Sequence, residues 1–306
     1  MKLNRLLNNA RPWGSGLERQ REALAASGVD VGYVVVEGVR LRYAQSRGES
    51  APLLFCNGIG ANLELALPLF KALPHIRMVT FDIPGCGGSE AAWFWPRFSA
   101  FARFAVGLLD HLGYKDGFDV AGVSWGGCLA QTIAREYAER VGRLILMATA
   151  AGFPMIPGRL RASLRMFTPM RYLSRTYMAQ NASIIYGGEL RNRPDRAIDY
   201  ARYTRAPTTR AYLQQLAAIS HFSSWPWLHR IHCPTLVLTG DDDPLVRPIN
   251  ARLLAALLPN GRLEVVKGGG HLFMVFSAED TAQRIESFLR GSAERGRRTP
   301  EAFRLS

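Results

Sequence analysis

Short apolar runs, each closed by glycine or a polar turn, constrain this chain more than any other feature. They are PLLFCNGIG (52–60), MVTFDIPGCGGSE (78–90), FDVAGVSWGG (118–127), LILMATA (144–150), PTLVLTGDDD (234–243) and LEVVKGGGH (263–271). Runs that are apolar on both faces read as strands of a mainly parallel sheet, buried under helices. The stretches between them carry helical patterns. Phe101, Phe104, Ala105, Leu108, Leu109 and Leu112 fall at i, i+3, i+4, i+7, i+8 and i+11, one face of a helix. Residues 126–138, 251–258 and 281–289 are further helical candidates. Ahead of them, YVVVEGVRLRYAQ (33–45) reads as a hairpin turning at Glu37-Gly38. Strand alternating with helix implies an α/β fold.

The alternation breaks between about 151 and 230. This segment is rich in aromatics and methionines, from Phe153 and Met155 to Trp225 and Trp227. It holds 12 arginines against Glu189, Asp195 and Asp199, a surplus of 12 − 3 = +9 within the chain's net +13. It is expected to be a mainly helical cap inserted into a core formed by 31–150 and 231–290. Core packing is expected to claim at least half of its aromatics and methionines, because any cap must bury something. Residues 1–30 read as an N-terminal extension and 291–306 as a basic tail.

The positive balance attracts anionic surfaces in general. No zinc spacing, RNP-like motif or basic heptad array accompanies it, so a nucleic-acid partner is not expected. No apolar run approaches the ~20 residues that span a bilayer, and the basic N-terminus lacks an apolar h-region. Cys56, Cys86, Cys128 and Cys233 form no CxxC pair. Most lie in or beside apolar runs, where cysteine acts as a small hydrophobe. A reduced, cytoplasmic protein is expected.

GVSWGG (122–127) places Ser124 between glycines. The pattern G-x-S-x-G acquires meaning only with a buried strand before it and a helix after it. Both are present: FDVAG precedes and GGCLAQTIAREYA follows. A turn that sharp strains the serine backbone and needs small neighbours, which Gly122 and Gly126 supply. The helix that follows points its N-terminal N–H groups toward developing negative charge. A serine hydroxyl needs a base, usually a histidine oriented by a carboxylate. After a serine turn of this kind in an α/β sheet the order is serine, acid, histidine, and ligands bind at the carboxyl ends of the strands. VLTGDDDP offers Asp241, Asp242 and Asp243, and VVKGGGHLF offers His271. Of the remaining histidines, His221 lies in the cap and could line a pocket, with a plain structural role the more ordinary reading. An oxyanion hole would take the Trp125 backbone N–H and a second donor from CNGIGAN, assigned to Ile59 between Gly58 and Gly60. Asp82 and the glycines of FDIPGCGGS are read as shaping a turn. No metal-ligand spacing or phosphate loop points to another chemistry, so neither metal nor cofactor is expected.

The stretches LLFCNGIGANLELALPLFKAL, FDIPGCGGS, GVSWGGCLAQTIA, IIYGGELRNRPDRA, WLHRIHCPTLVLTGDDDPLV and GGHLF resemble the intracellular poly(3-hydroxyalkanoate) depolymerases of the medium-chain-length type. The resemblance runs from about 51 to 290, cap included. It implies an α/β-hydrolase fold and the G-x-x-D pattern that selects Asp243 as the orienting acid. It makes Ser124 the nucleophile, His271 the base, and the Ile59 and Trp125 backbones the oxyanion donors. The implied reaction cleaves ester bonds of a stored polyester through an acyl-serine, releasing 3-hydroxy acids or oligomers without a cofactor. The implied location is cytoplasmic, at polyester granules. The chain departs from similar enzymes at Gly268–Gly270, where a longer or looser histidine loop is expected, and at Arg247. Competing readings are a soluble carboxylesterase or lactonase, a hydroxyacyl acyltransferase on the same triad, and a non-catalytic granule-binding protein.

Overall fold

The computed structural model describes residues 28–168 and 170–296. Its strands are β1 (Val29–Val36), β2 (Val39–Ser46), β3 (Leu53–Cys56), β4 (Met78–Phe81), β5 (Phe118–Val123), β6 (Val141–Met147), β7 (Thr235–Gly240) and β8 (Gly261–Val266). They form one 8-stranded sheet in the order β1-β2-β4-β3-β5-β6-β7-β8. β1 pairs antiparallel with β2, and β2 with β4; every later pairing is parallel. The hairpin turns where the sequence places it. Glu37 (φ 47) and Gly38 (φ 76) both adopt positive φ, the two-residue turn whose twist matches its strands.

Alternation along the parallel strands explains why they are apolar throughout. Leu54, Cys56, Val120, Leu144, Leu146 and Val237 face one core cluster. Leu53, Phe55, Ala121, Val123, Ile145 and Met147 face the other. The first cluster is closed by α2 (Phe98–His111), α3 (Trp125–Glu136) and α10 (Pro248–Leu257), through Phe101, Phe104, Leu108, Leu129 and Leu254. The second is closed by α1 (Leu67–Ala72), α11 (Phe273–Phe276) and α12 (Ala278–Gly296), through Phe70, Phe273 and Ile285. The helical patterns of the sequence correspond to α2, α3, α10 and α12. The short α1 and α11 carry too few turns to show a periodicity. Residues 291–296 continue α12 rather than leaving it; residues 1–27 of the expected extension and 297–306 of the expected tail lie outside the described residues.

Between β6 and β7 the chain forms α4 (Leu160–Phe167), α5 (Met170–Leu173), α6 (Arg175–Tyr186), α7 (Glu189–Asn192), α8 (Arg196–Tyr203) and α9 (Thr209–Ser220). Of these, α6, α7 and α8 share a third cluster built on Met178, Ile185, Tyr186, Leu190 and Tyr200, against which Met166 of α4 packs, with Leu272 and Phe276 from the sheet side. Met178, Tyr186, Tyr200, Tyr212, Phe222 and Trp227 are buried, whereas Phe153 and Phe167 stand 75% and 58% exposed. The aromatic content therefore serves both packing and surface.

Candidate active site

The chain order reverses about β3: β4 lies on one side of it and β5 on the other. Such a switch point opens a crevice beyond the carboxyl ends of the strands. Ser124 stands there, directly after β5, at φ 54, ψ −118. A residue with a Cβ rarely adopts positive φ, and persists there only when its surroundings over-determine it. They do. The Ser124 N–H donates to the Met147 carbonyl at 2.9 Å, and its carbonyl accepts from Gly127 N–H at 2.9 Å and Thr149 Oγ1 at 2.7 Å. A Cβ on Gly122 would collide with the Gly126 carbonyl, and one on Gly126 with the Cys56 and Asn57 carbonyls. Ser124 occupies the N-cap position of α3, but its hydroxyl makes no capping hydrogen bond. Trp125 opens that helix and is fully buried against Phe98 and Phe101.

His271 Nδ1 and Asp243 Oδ2 lie 2.8 Å apart, their side chains 4% and 0% exposed. The other Asp243 oxygen accepts the Leu245 and Val246 N–H groups at 2.8 and 2.9 Å. The carboxylate is thus fixed on one side by its own loop and on the other by the imidazole. Asp241 is exposed. Asp242 turns away, accepting from Gly188 N–H at 2.8 Å and pairing with Arg191. That pairing, with the Arg191 hydrogen bond, outweighs a burial that would raise the carboxyl and holds it below its ordinary range. His221 lies exposed on the surface with Nδ1 against Ser220 Oγ and the Ala217 carbonyl, away from this group.

The loop before His271 is not loose. His271 N–H donates to the Tyr186 carbonyl at 2.7 Å, and Asp242 N–H to the Gly269 carbonyl at 2.9 Å. A Cβ on Gly270 would strike the Tyr186 carbonyl, and one on Gly269 would crowd Val266. Gly270 permits close backbone approach between this loop and the end of α6, and Gly269 between the loop and the ends of β7 and β8, which is the physical reason the looser loop is not found.

Ser124 and His271 line one cavity, together with Gly58, Ile59, Met166 and Tyr200. The NGIG main chain runs beside the serine: a Cβ on Gly58 would lie 3.8 Å from Ser124 Cβ. Arg171, buried in the same lining, donates to Tyr186 Oη at 3.3 Å and to the Ile59 carbonyl at 3.5 Å.

A buried polar cluster supports the loop from below. Arg42 pairs with Glu64 at 2.6 Å and with Asp82 at 3.2 Å. Asp82 also accepts the Leu63 and Gly88 N–H groups at 2.7 and 2.8 Å, so it ties the loop after β3 to the turn after β4, as well as shaping that turn. Burial pushes the Asp82 carboxyl up to about 6, against the pull of Arg42. Burial also acts on Glu64, but its hydrogen bond and ion pair with Arg42 prevail and hold it low. The sequence does not place this cluster, nor Thr149, Tyr186 or Arg171, at the site, because each arrives from a distant segment. The four cysteines are free thiols. Burial raises all of them, Cys86 and Cys128 to about 12, so they stay protonated and inert.

A strained serine after a parallel strand, a buried histidine–aspartate pair and a glycine loop meet at one sheet edge. Residues 51–278 match the family model of the alpha/beta hydrolase fold, and the chain belongs to that family. Within it, the chain is 42% identical over 260 residues to a poly(3-hydroxyalkanoate) depolymerase of Ectopseudomonas oleovorans, covering 85% of this chain and 91% of the relative. A 2-hydroxymuconate semialdehyde hydrolase of Pseudomonas putida is 29% identical over 261 residues, 79% of this chain and 88% of that one. Among solved structures, a bacterial membrane phospholipase A superposes with TM-score 0.75 at 22% identity, covering 92% of each chain. An enol-lactonase of Burkholderia xenovorans superposes with TM-score 0.70 at 24% identity, covering 85% of this chain and all of that one. These two share the fold alone.

Proposed function

We propose that the chain hydrolyses ester bonds of intracellular medium-chain-length poly(3-hydroxyalkanoate), with Ser124 as nucleophile, His271 as base and Asp243 as orienting acid. That it is an ester hydrolase follows from its family and its 42%-identical relative; the polymer, the side-chain length and the route are the proposal. The observation that carries it is that the strained Ser124 and His271, itself paired with the buried Asp243, line one largely apolar cavity.

Asp243 engages Nδ1 of His271, which leaves Nε2 to take the Ser124 proton. Ser124 Oγ attacks the ester carbonyl carbon, and the oxyanion is received by the Ile59 and Trp125 backbone N–H groups. Loss of one such donor typically costs about 3–4 kcal/mol of transition-state stabilisation. Collapse expels the hydroxyl end of the cleaved chain, which takes its proton from His271. Water, deprotonated by His271, then attacks the acyl-Ser124 and releases a 3-hydroxy acid or oligomer. Phe55, Leu65, Met166, Met274 and Val275 in the lining suit alkyl side groups, since methionine and aromatic surfaces adapt to irregular apolar ligands. The site would work in the cytoplasm at the granule surface. No helix of the described residues is long and apolar enough to cross a membrane.

The test is release of 3-hydroxy acids from suspended medium-chain polyester granules, with Ser124→Ala as control and a soluble p-nitrophenyl ester alongside. Serine-dependent release is the expected result. Turnover of the soluble ester with granules untouched would discard the polymer and favour a soluble carboxylesterase or lactonase.

A further inference from the structure

One buried residue of the helical segment touches both walls of the proposed oxyanion hole, one through its side chain and the other through its main-chain carbonyl. Gln215, on α9, is fully buried. Its Oε1 accepts the Gly60 N–H at 2.9 Å, and its Nε2 donates to Cys86 Sγ at 3.1 Å. Its main-chain carbonyl accepts the Trp125 indole N–H at 3.0 Å. Gly60 follows Ile59 and Trp125 follows Ser124, so Gln215 holds the residues that carry, or adjoin, both proposed oxyanion donors. The Ile59–Gly60 peptide is also met at its carbonyl end, where Arg171 donates at 3.5 Å. A peptide plane held through both its N–H and its C=O resists rotation. Rotating it would turn Ile59 about its own backbone and tilt the adjoining Gly58–Ile59 plane, which carries the Ile59 N–H.

We propose that Gln215 is a positioning residue that sets the oxyanion hole from the helical segment, so that the hole is complete only while α9 is seated on the loop after β3. The inference rests on the serine-hydrolase reading above. Its physical basis is the softness of the loop: Gly58 and Gly60 flank Ile59, and Gly60 sits at φ 65. A glutamine amide supplies an acceptor for Gly60 and a donor for Cys86 in one rigid plane.

The test compares Gln215→Met, similar in shape but without the acceptor, with Gln215→Glu, which keeps an acceptor oxygen. Turnover of a soluble p-nitrophenyl ester and the rate of Ser124 labelling by a fluorophosphonate are both measured, well below each variant's melting temperature. Gln215→Met is expected to lower kcat by about 10- to 100-fold, the scale of a misplaced catalytic group, with KM changed less than about twofold. Labelling should slow by a similar factor, and Gln215→Glu should recover at least about tenfold of a full loss. Should Gln215→Met not fold, Gln215→Asn withdraws the amide by one methylene and gives the same comparison. Ser124-dependent turnover that loss of the acceptor leaves within about twofold overturns the role of Gln215 alone, as does equal loss in the Glu variant. Wild-type turnover that survives Ser124→Ala overturns the serine-hydrolase reading and, with it, the role of Gln215.

Discussion

At Ser124 the backbone sits in a region that a residue with a Cβ leaves when it can, held by Met147, Gly127 and Thr149. Two substitutions separate chemistry from strain. Ser124→Ala should lower ester turnover at least about 10³-fold while the fold persists; a variant keeping a tenth of the activity would remove Ser124 from the reaction. Ser124→Gly, equally inactive, should be more stable than Ser124→Ala by about 1 kcal/mol in urea unfolding, because glycine accepts positive φ. The neighbouring aspartates give a second contrast. Asp243→Asn should lower kcat by about 10⁴-fold, because the amide disturbs the orientation and charge of the imidazole. Asp242→Asn, at a half-exposed ion pair with Arg191, should stay within about fivefold, as surface pairs contribute little. Steady-state kinetics on one soluble ester decides both. Among the three carboxylates of DDD, which the resemblance already separates through its G-x-x-D pattern, the physical difference is the turn of the backbone after Gly240, with the Leu245 and Val246 N–H groups beneath Asp243.

At the scale of elements, the close approach of the loop after β8 to the end of α6 is made by a glycine on each side, Gly188 facing Gly270. Intolerance of even one methyl group is therefore expected where these two loops touch, at Gly188 and Gly270, and not along their whole length. Gly270→Ala drives a Cβ into the Tyr186 carbonyl and should cost about 2–4 kcal/mol in unfolding, together with most of the activity, since His271 hangs on the same carbonyl. Gly268→Ala meets open space at φ 68 and should cost only about 1 kcal/mol from backbone strain, with little effect on kcat. Equal losses at both positions would show that the contact between α6 and the histidine loop does not matter. Read from sequence alone, three glycines in a row suggest slack, because the partner that consumes their freedom lies some eighty residues upstream.

Across the whole molecule, Arg42 of β2, Glu64 beyond β3 and Asp82 beyond β4 join three segments under the site, and Asn62 Oδ1 extends the cluster by accepting the Arg205 N–H at 2.9 Å. The cluster makes stability depend on pH in two opposed directions. Asp82, raised by burial to about 6, contributes stability that is present below its unfolded range near 4 and lost as pH rises through about 6. Glu64, held low chiefly by Arg42 in spite of burial, contributes stability present above its unfolded value and lost on acidification below it. Asp82→Asn removes the first effect only. Thermal melts should show the fall between pH 4 and pH 6 flattened by up to about 3 kcal/mol, two pH units at 1.36 kcal/mol each, while the acid limb remains. An unchanged slope between these pH values would remove Asp82 from the linkage.

The strand–helix alternation, the hairpin at Glu37-Gly38 and the serine turn were determined by sequence alone, because each depends on neighbours within a few residues: side-chain period, positive φ, and the small flanks of Ser124. The same reasoning placed His271 after the last strand by chain order. What only the tertiary structure decided are the contacts between distant segments: His271 meeting Asp243 across 28 residues, Gln215 reaching Gly60 across 155, and Asp82 gathering two loops. Local propensity carries no term for these. They exist because two apolar faces of one sheet must be covered and a helical segment must be seated above it, and that packing brings together polar groups that leave no pattern along the chain.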